Sequence, residues 1–123
     1  MSNNLATRIN KAPGFEKKNM PLIREVELPG VVQAFVAAGH IQAGTRRFRM
    51  GKANILLSPP TEATGWHMTI SRDDHYPSWD EVAYAWYSLV PDAATRTGVM
   101  ILPPLREYIN IHEHCFQVHE ELR

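Results

Sequence analysis

A chain of 123 residues with 44% hydrophobic residues, three Trp, four Tyr and four Phe is long enough for one core and too apolar for global disorder. Its formal net charge is zero, and its one cysteine, Cys115, excludes an internal disulfide framework. No apolar run approaches the ~20 residues of a membrane-spanning helix, and residues 1–10 lack the apolar centre of a signal peptide, so a cytoplasmic protein is expected.

The zero net charge hides an asymmetry. Residues 1–52 hold nine basic and three acidic residues, a surplus of six, so residues 53–123 carry the opposite surplus of six. Such a split suits charge-guided association with a partner or between copies of the chain, while a neutral chain without an aromatic-basic repeat is a poor nucleic-acid binder. Residues 1–28 lack sustained periodicity and read as a basic N-terminal arm or lead-in, with a short strand over Leu22 to Leu28; residues 29–123 read as a single domain.

After Pro29-Gly30, the recurrence of Val31, Val32, Phe35 and Val36 predicts a short helix over 31–38, ended by Gly39. Arg46 to Met50 reads as an exposed edge strand whose arginines discourage unwanted pairing, and Ala53 to Leu57 as a buried strand closed by Pro59-Pro60. From Trp66 the pattern turns strictly alternating: Trp66, Met68 and Ile70 on one face, His67, Thr69 and Ser71 on the other.

Ser78 followed by Glu81 is a capping box, which predicts a helix over 78–90. Its stripe of Trp79, Val82, Ala83, Trp86, Leu89 and Val90 should be buried, and Pro91 should end it. Beyond it, Gly98 to Leu102 reads as a central strand, and Glu107 to His112 and Cys115 to His119 as alternating strands, with Glu113-His114 a hairpin or bulge between them. The sum is an α+β two-layer sandwich: a mostly antiparallel sheet of about four or five strands, one face covered by the longer helix and the shorter one.

The series WHMTIS, YPSWDE, ILPP and EYINIHEHCF, then Val118 and Glu120, resembles an uncharacterised family of small proteins encoded mostly by bacteriophages and prophages. The resemblance spans about Gly65 to Glu120. It implies a phage or prophage origin, a host-cell cytoplasmic or virion location and a compact α+β domain, and it brings no activity to any residue.

Four constellations are candidates for function. Tyr76, Tyr84 and Tyr87 lie off the buried helix stripe beside Asp80 and Glu81, which suits protein binding; Arg46, Arg47 and Arg49 would form an anion patch if they converged on one face. His67 and Thr69 form an H-x-T pattern of the kind two-histidine phosphoesterases use, but the second copy is missing and Asn110-Ile111-His112, which lacks the hydroxyl two residues after its histidine, would have to replace it. His112, His114, Cys115 and His119 read as H-x-H-C-x-x-x-H; imidazole and thiolate suit zinc, yet adjacent His114 and Cys115 should point to opposite faces of a strand.

The expectation is therefore a phage-encoded protein that works by binding another protein or itself, without catalysis or cofactor. It would serve as a host-takeover or anti-defence factor or as a virion accessory component. The alternative is a metal-dependent or two-histidine hydrolase using His67, His112 and His119.

Overall fold

The structure is a computed structural model and describes residues 7–8, 20–96, 98–102 and 114–120. Among the described residues there are seven strands: β1 (Thr7–Arg8), β2 (Ile23–Val26), β3 (Arg46–Met50), β4 (Ala53–Ser58), β5 (His67–Arg72), β6 (Val99–Leu102) and β7 (His114–Glu120). They form one sheet in the order β1-β6-β7-β5-β4-β3-β2, antiparallel at every junction. The α+β architecture holds. The sheet is wider than expected because two short segments, β1 and β2, join its two edges. As a result β3 is an interior strand, paired with β2 on one side and β4 on the other, and not the exposed edge its arginines suggested.

Strand alternation sorts the sheet into two unlike faces. Phe48, Met50, Ala53, Ile55, Leu57, Met68, Ile70 and Val118 are buried on one. The register sets them against each other in rows, with Phe48 opposite Ile55, Ile55 opposite Ile70 and Leu57 opposite Met68. Over this face lies α2 (Trp79–Leu89), which contributes Val82, Ala83, Ala85 and Trp86 to the same core. Both β5 and β6 run antiparallel to β7, which lies between them, so they are parallel to each other and need a crossover connection. That connection contains α2.

The start of α2 is formed as the sequence dictates. Ser78 Oγ accepts from Glu81 N–H at 3.1 Å, and Glu81 Oε1 accepts from Ser78 N–H at 2.9 Å. Arg72, at the end of β5, donates to both oxygens of Asp74 at 2.8 and 2.6 Å and to Glu81 Oε2 at 2.9 Å, tying strand, turn and helix together.

One expectation about this helix is overturned. Trp86 is 1% exposed, but Trp79 is 51% exposed and lies tilted against the Phe116 ring, 4.9 Å between centroids. Seven residues of helix displace the two indoles by ~10 Å along the axis, and Trp79 at the first turn packs on Phe116 of β7 on one side while the other stays in water.

The other helix, α1 (Gly30–Ala37), exists where its spacing placed it but buries none of its residues. Val31 and Phe35 are exposed, and Val32 and Val36 half-buried. Pro29 and Val32 line a hollow with Arg47, Asn54, Thr69 and Ser71, which project from the polar face of the sheet. So α1 lies across the sheet from α2 and does not help cover the apolar face. The reason is the partner surface: Leu56 is the apolar side chain that hollow offers from the strands, too little to draw in valines and a phenylalanine.

The expected strand over 107–112 lies outside the described residues. No helix among them is long and apolar enough to cross a membrane.

Candidate functional site

The polar face of the sheet collects most of the residues singled out from sequence. In the register of β5 and β7, His67 sits opposite His119, Thr69 opposite Gln117 and Ser71 opposite Cys115. The two imidazoles face one another at 6.4 Å between ring centroids, and Gln117 Oε1 can accept from His67 Nε2 at 3.4 Å. His67 with His119 is thus the imidazole pair the structure assembles. His112, the third member expected, lies outside the described residues.

His67, Thr69 and His119 line a cleft of about 800 Å³. Its opposite wall is the segment after α1, with His40, Ile41, Gln42 and Thr45, and its end is closed by Pro59, Ala63 and Gly65. Thr45 is buried, donates to Gln42 O at 2.6 Å and shares a 2.8 Å hydrogen bond with Ser58 Oγ, so the hydroxyls there are held in place. Glu120 also lines the cleft, but Arg96 binds both its carboxylate oxygens at 2.9 and 2.8 Å. Sequence reasoning found His67 and Thr69 through strand alternation. It missed Thr45, Ser58 and His40, which reach the cleft through chain connections that no local pattern signals.

Burial holds the His67 pKa below that of an ordinary imidazole; the Gln117 hydrogen bond works in the opposite direction, and neighbouring His119 adds to the lowering. A base with a depressed folded-state pKa takes up its proton more readily when unfolded. Its contribution to stability is therefore complete above about pH 6.5 and is lost as the pH falls through the folded-state value. Thermal unfolding between about pH 8 and pH 5 should show the wild type losing more stability than His67→Gln over the same interval. Equal losses in the two proteins would contradict it. Asp74, which Arg72 holds well below the usual carboxylate range, acts in the same direction but only in more acidic solution.

The described members of the set considered for zinc, His114, Cys115 and His119, do not converge. His114 and Cys115 alternate on β7, and His114 packs under Tyr76, 4.8 Å between ring centroids, away from the cleft that His119 faces. Among the described residues no group of three or more His, Cys, Asp or Glu is placed to hold a metal ion.

The arginines divide. Arg46 pairs with Glu25 through hydrogen bonds of 2.8 and 2.6 Å, and its guanidinium carbon lies 5.3 Å from the Phe48 ring centre, on the apolar side of the sheet. Arg47 and Arg49 project from the polar face and both donate to Asn54 Oδ1, at 2.9 and 3.2 Å.

The tyrosines divide as well. Tyr84 and Tyr87 are half-buried and pack against the core, whereas Tyr76 is 46% exposed. Tyr76 lies 5.2 Å from the Phe116 ring, which also carries Trp79, so Tyr76, Trp79 and Phe116 form an aromatic ledge beside the start of α2. Exposed Asp73 and Asp80 flank it in sequence.

Residues 59–120 match a family model described as a domain of unknown function (DUF7694). The match covers β5, α2, β6 and β7, and leaves β1 to β4 and α1 outside it. No curated protein and no solved structure matches the chain.

Proposed function

Because the chain belongs to the DUF7694 family, a domain of unknown function, its role has to be read from its own surface, and we propose that it is a phage-encoded protein that acts by binding another protein through the aromatic ledge. The single observation behind this reading is that Trp79 and Tyr76 stay about half exposed while stacked on Phe116. A core would have buried them; Trp and Tyr held rigid at a surface supply large contact area at small entropic cost. The flanking Asp73 and Asp80 favour a partner that presents an apolar pocket rimmed by Lys or Arg.

Support for the phage origin is the order of the WHMTIS, YPSWDE and ILPP motifs, and it makes a host protein or a virion component the partner, met in the host cytoplasm or in the particle. Tagged protein expressed during infection should co-purify with one such partner. The double change Tyr76→Ala, Trp79→Ala should lower that affinity by about 2 kcal/mol or more, the scale of an interface hot spot. Undiminished recovery by a folded double variant would overturn the proposal.

A hydrolytic reading keeps one observation in its favour, the opposed His67 and His119 in a cleft with Thr69. Cleavage of bis(p-nitrophenyl) phosphate by the wild type, abolished in His67→Ala, would establish it over binding.

A further inference from the structure

On the polar face the guanidiniums of Arg24, Arg47 and Arg49 have no acidic partner among the described residues. Arg24 is opposite Arg49 in the register of β2 and β3, and Arg47 lies on the same face two residues along. Like charges placed directly across a ladder are unfavourable. Arg47 donates to Glu27 O and Asn54 Oδ1, and Arg49 to Asn54 Oδ1 and Gly51 O, all uncharged acceptors. Among the described residues no carboxylate pairs with Arg24, Arg47 or Arg49; the ion pair of β2 and β3, Glu25 with Arg46, is on the other side. The described strand residues of this face include no Asp or Glu from β3, β4 or β5.

This charge adjoins a built hollow. A smaller hollow of about 240 Å³ beneath Pro29 and Val32 is lined by Arg47, and it shares Leu56 and Thr69 with the larger cleft at His67 and His119. The two hollows meet at that shared wall, and Val32, from a helix that buries none of its own residues, lines the smaller one. An eight-residue helix that contributes nothing to the core, set beside an Arg47 that pairs with no carboxylate among the described residues, is accounted for if something else fills the space. The smaller hollow offers a guanidinium with donors to spare, suited to a phosphoryl group. The larger offers imidazoles, the Thr45 and Ser58 hydroxyls and apolar walls in a volume far beyond what a free phosphate needs, within the usual range for small-molecule sites.

We propose that these adjoining hollows bind a nucleoside monophosphate or a compound of the same build, its phosphate at Arg47 and its heterocycle and hydroxyl-bearing part in the cleft at His67 and His119. The site is separate from the aromatic ledge and requires neither a protein partner nor bond cleavage.

Calorimetric titration of the full chain with AMP, GMP, CMP and UMP, with the corresponding nucleosides, inorganic phosphate and oligonucleotides of increasing length, tests it. At least one monophosphate should bind at a single site more tightly than about 1 mM. Loss of the phosphate from that ligand, or Arg47→Gln in the protein, should each weaken binding about tenfold or more. Leu56→Trp, which obstructs the shared wall of the two hollows, should abolish it, while Arg46→Gln, on the other face, should leave it unchanged. Thermal unfolding without ligand verifies that each variant is folded, and Arg47→Lys, which keeps the charge, should retain part of the affinity. The proposal is overturned if none of the four monophosphates binds, if binding survives both Arg47→Gln and Leu56→Trp, or if only oligonucleotides bind, with affinity that grows with length.

Discussion

Trp86→Ala should destabilise the fold by about 3–5 kcal/mol, the range for emptying a fully buried indole site. A domain of this size has about 5–15 kcal/mol in total, so the loss is a third or more of its stability. Trp86 is the largest fully buried side chain and belongs to the cluster that also holds Met68, Ile70 and Val118 from the middle of the sheet. Alanine there leaves a cavity that Val82 and Ala85, fixed on the same helix, cannot close. Trp79→Ala is the internal comparison. Half of that indole is already in water, so its removal should cost about 1 kcal/mol, mostly through the lost ring contact with Phe116. Urea unfolding of the two variants separates them by midpoint, and equal shifts would contradict the burial on which the core is argued.

The two indoles also mark how far sequence carries. Ser78 and Glu81 are three residues apart and form their capping box whatever the rest of the chain does, so the start of α2 was legible. Spacing likewise gave the helical stripe, but not how fully each of its positions is covered, and Trp79 rests on Phe116 with about half of its surface in water. For α1 the valine and phenylalanine spacing predicted helix correctly and burial wrongly, because burial depends on what the facing surface offers. The strand faces were readable from alternation in β5 and β7. Their neighbourhood was not: β7 lies beside β5 although α2 and β6 come between them in the chain, and only that pairing brings His119 to His67.

The same limit hid the basic patch. Arg46, Arg47 and Arg49 are conspicuous in sequence, but alternation sends Arg46 to Glu25 on one side and the other two to Asn54 on the other. Arg24, in a segment read as lead-in, completes the patch through its register with Arg49. Arg47 is the member of this patch that lines the proposed site, while Arg24 and Arg49 line a separate hollow with Pro21 and Leu22; local sequence could count these charges but not place them.

Gly65→Ala should destabilise the protein by about 1–3 kcal/mol, although glycine-to-alanine changes at open positions gain about 0.4–1 kcal/mol from the unfolded chain. A Cβ at Gly65 would sit 2.6 Å from Glu120 Oε1 and 2.8 Å from both its Cβ and its backbone oxygen, all within the range in which something must move. The far end of a side chain could yield, but this one is anchored. Arg96 holds both Glu120 oxygens, Oε1 also accepts from Trp66 N–H at 3.3 Å, and Glu120 N–H donates to Trp66 O at 3.0 Å. Glu120→Ala would remove the carboxylate yet leave the Cβ and the backbone oxygen in the way, so it should not rescue Gly65→Ala; recovery in the double variant would assign the close approach to the carboxylate alone. Gly30→Ala supplies the opposite sign, because nothing lies within 4 Å of the added carbon and the residue opens α1. Because Glu120 follows His119 on β7, the strand end displaced by Gly65→Ala carries the imidazole with it. The His119 ring resonances should therefore shift in Gly65→Ala and stay in place in Gly30→Ala, which links the glycine at the closed end of the cleft to the geometry of its histidine pair.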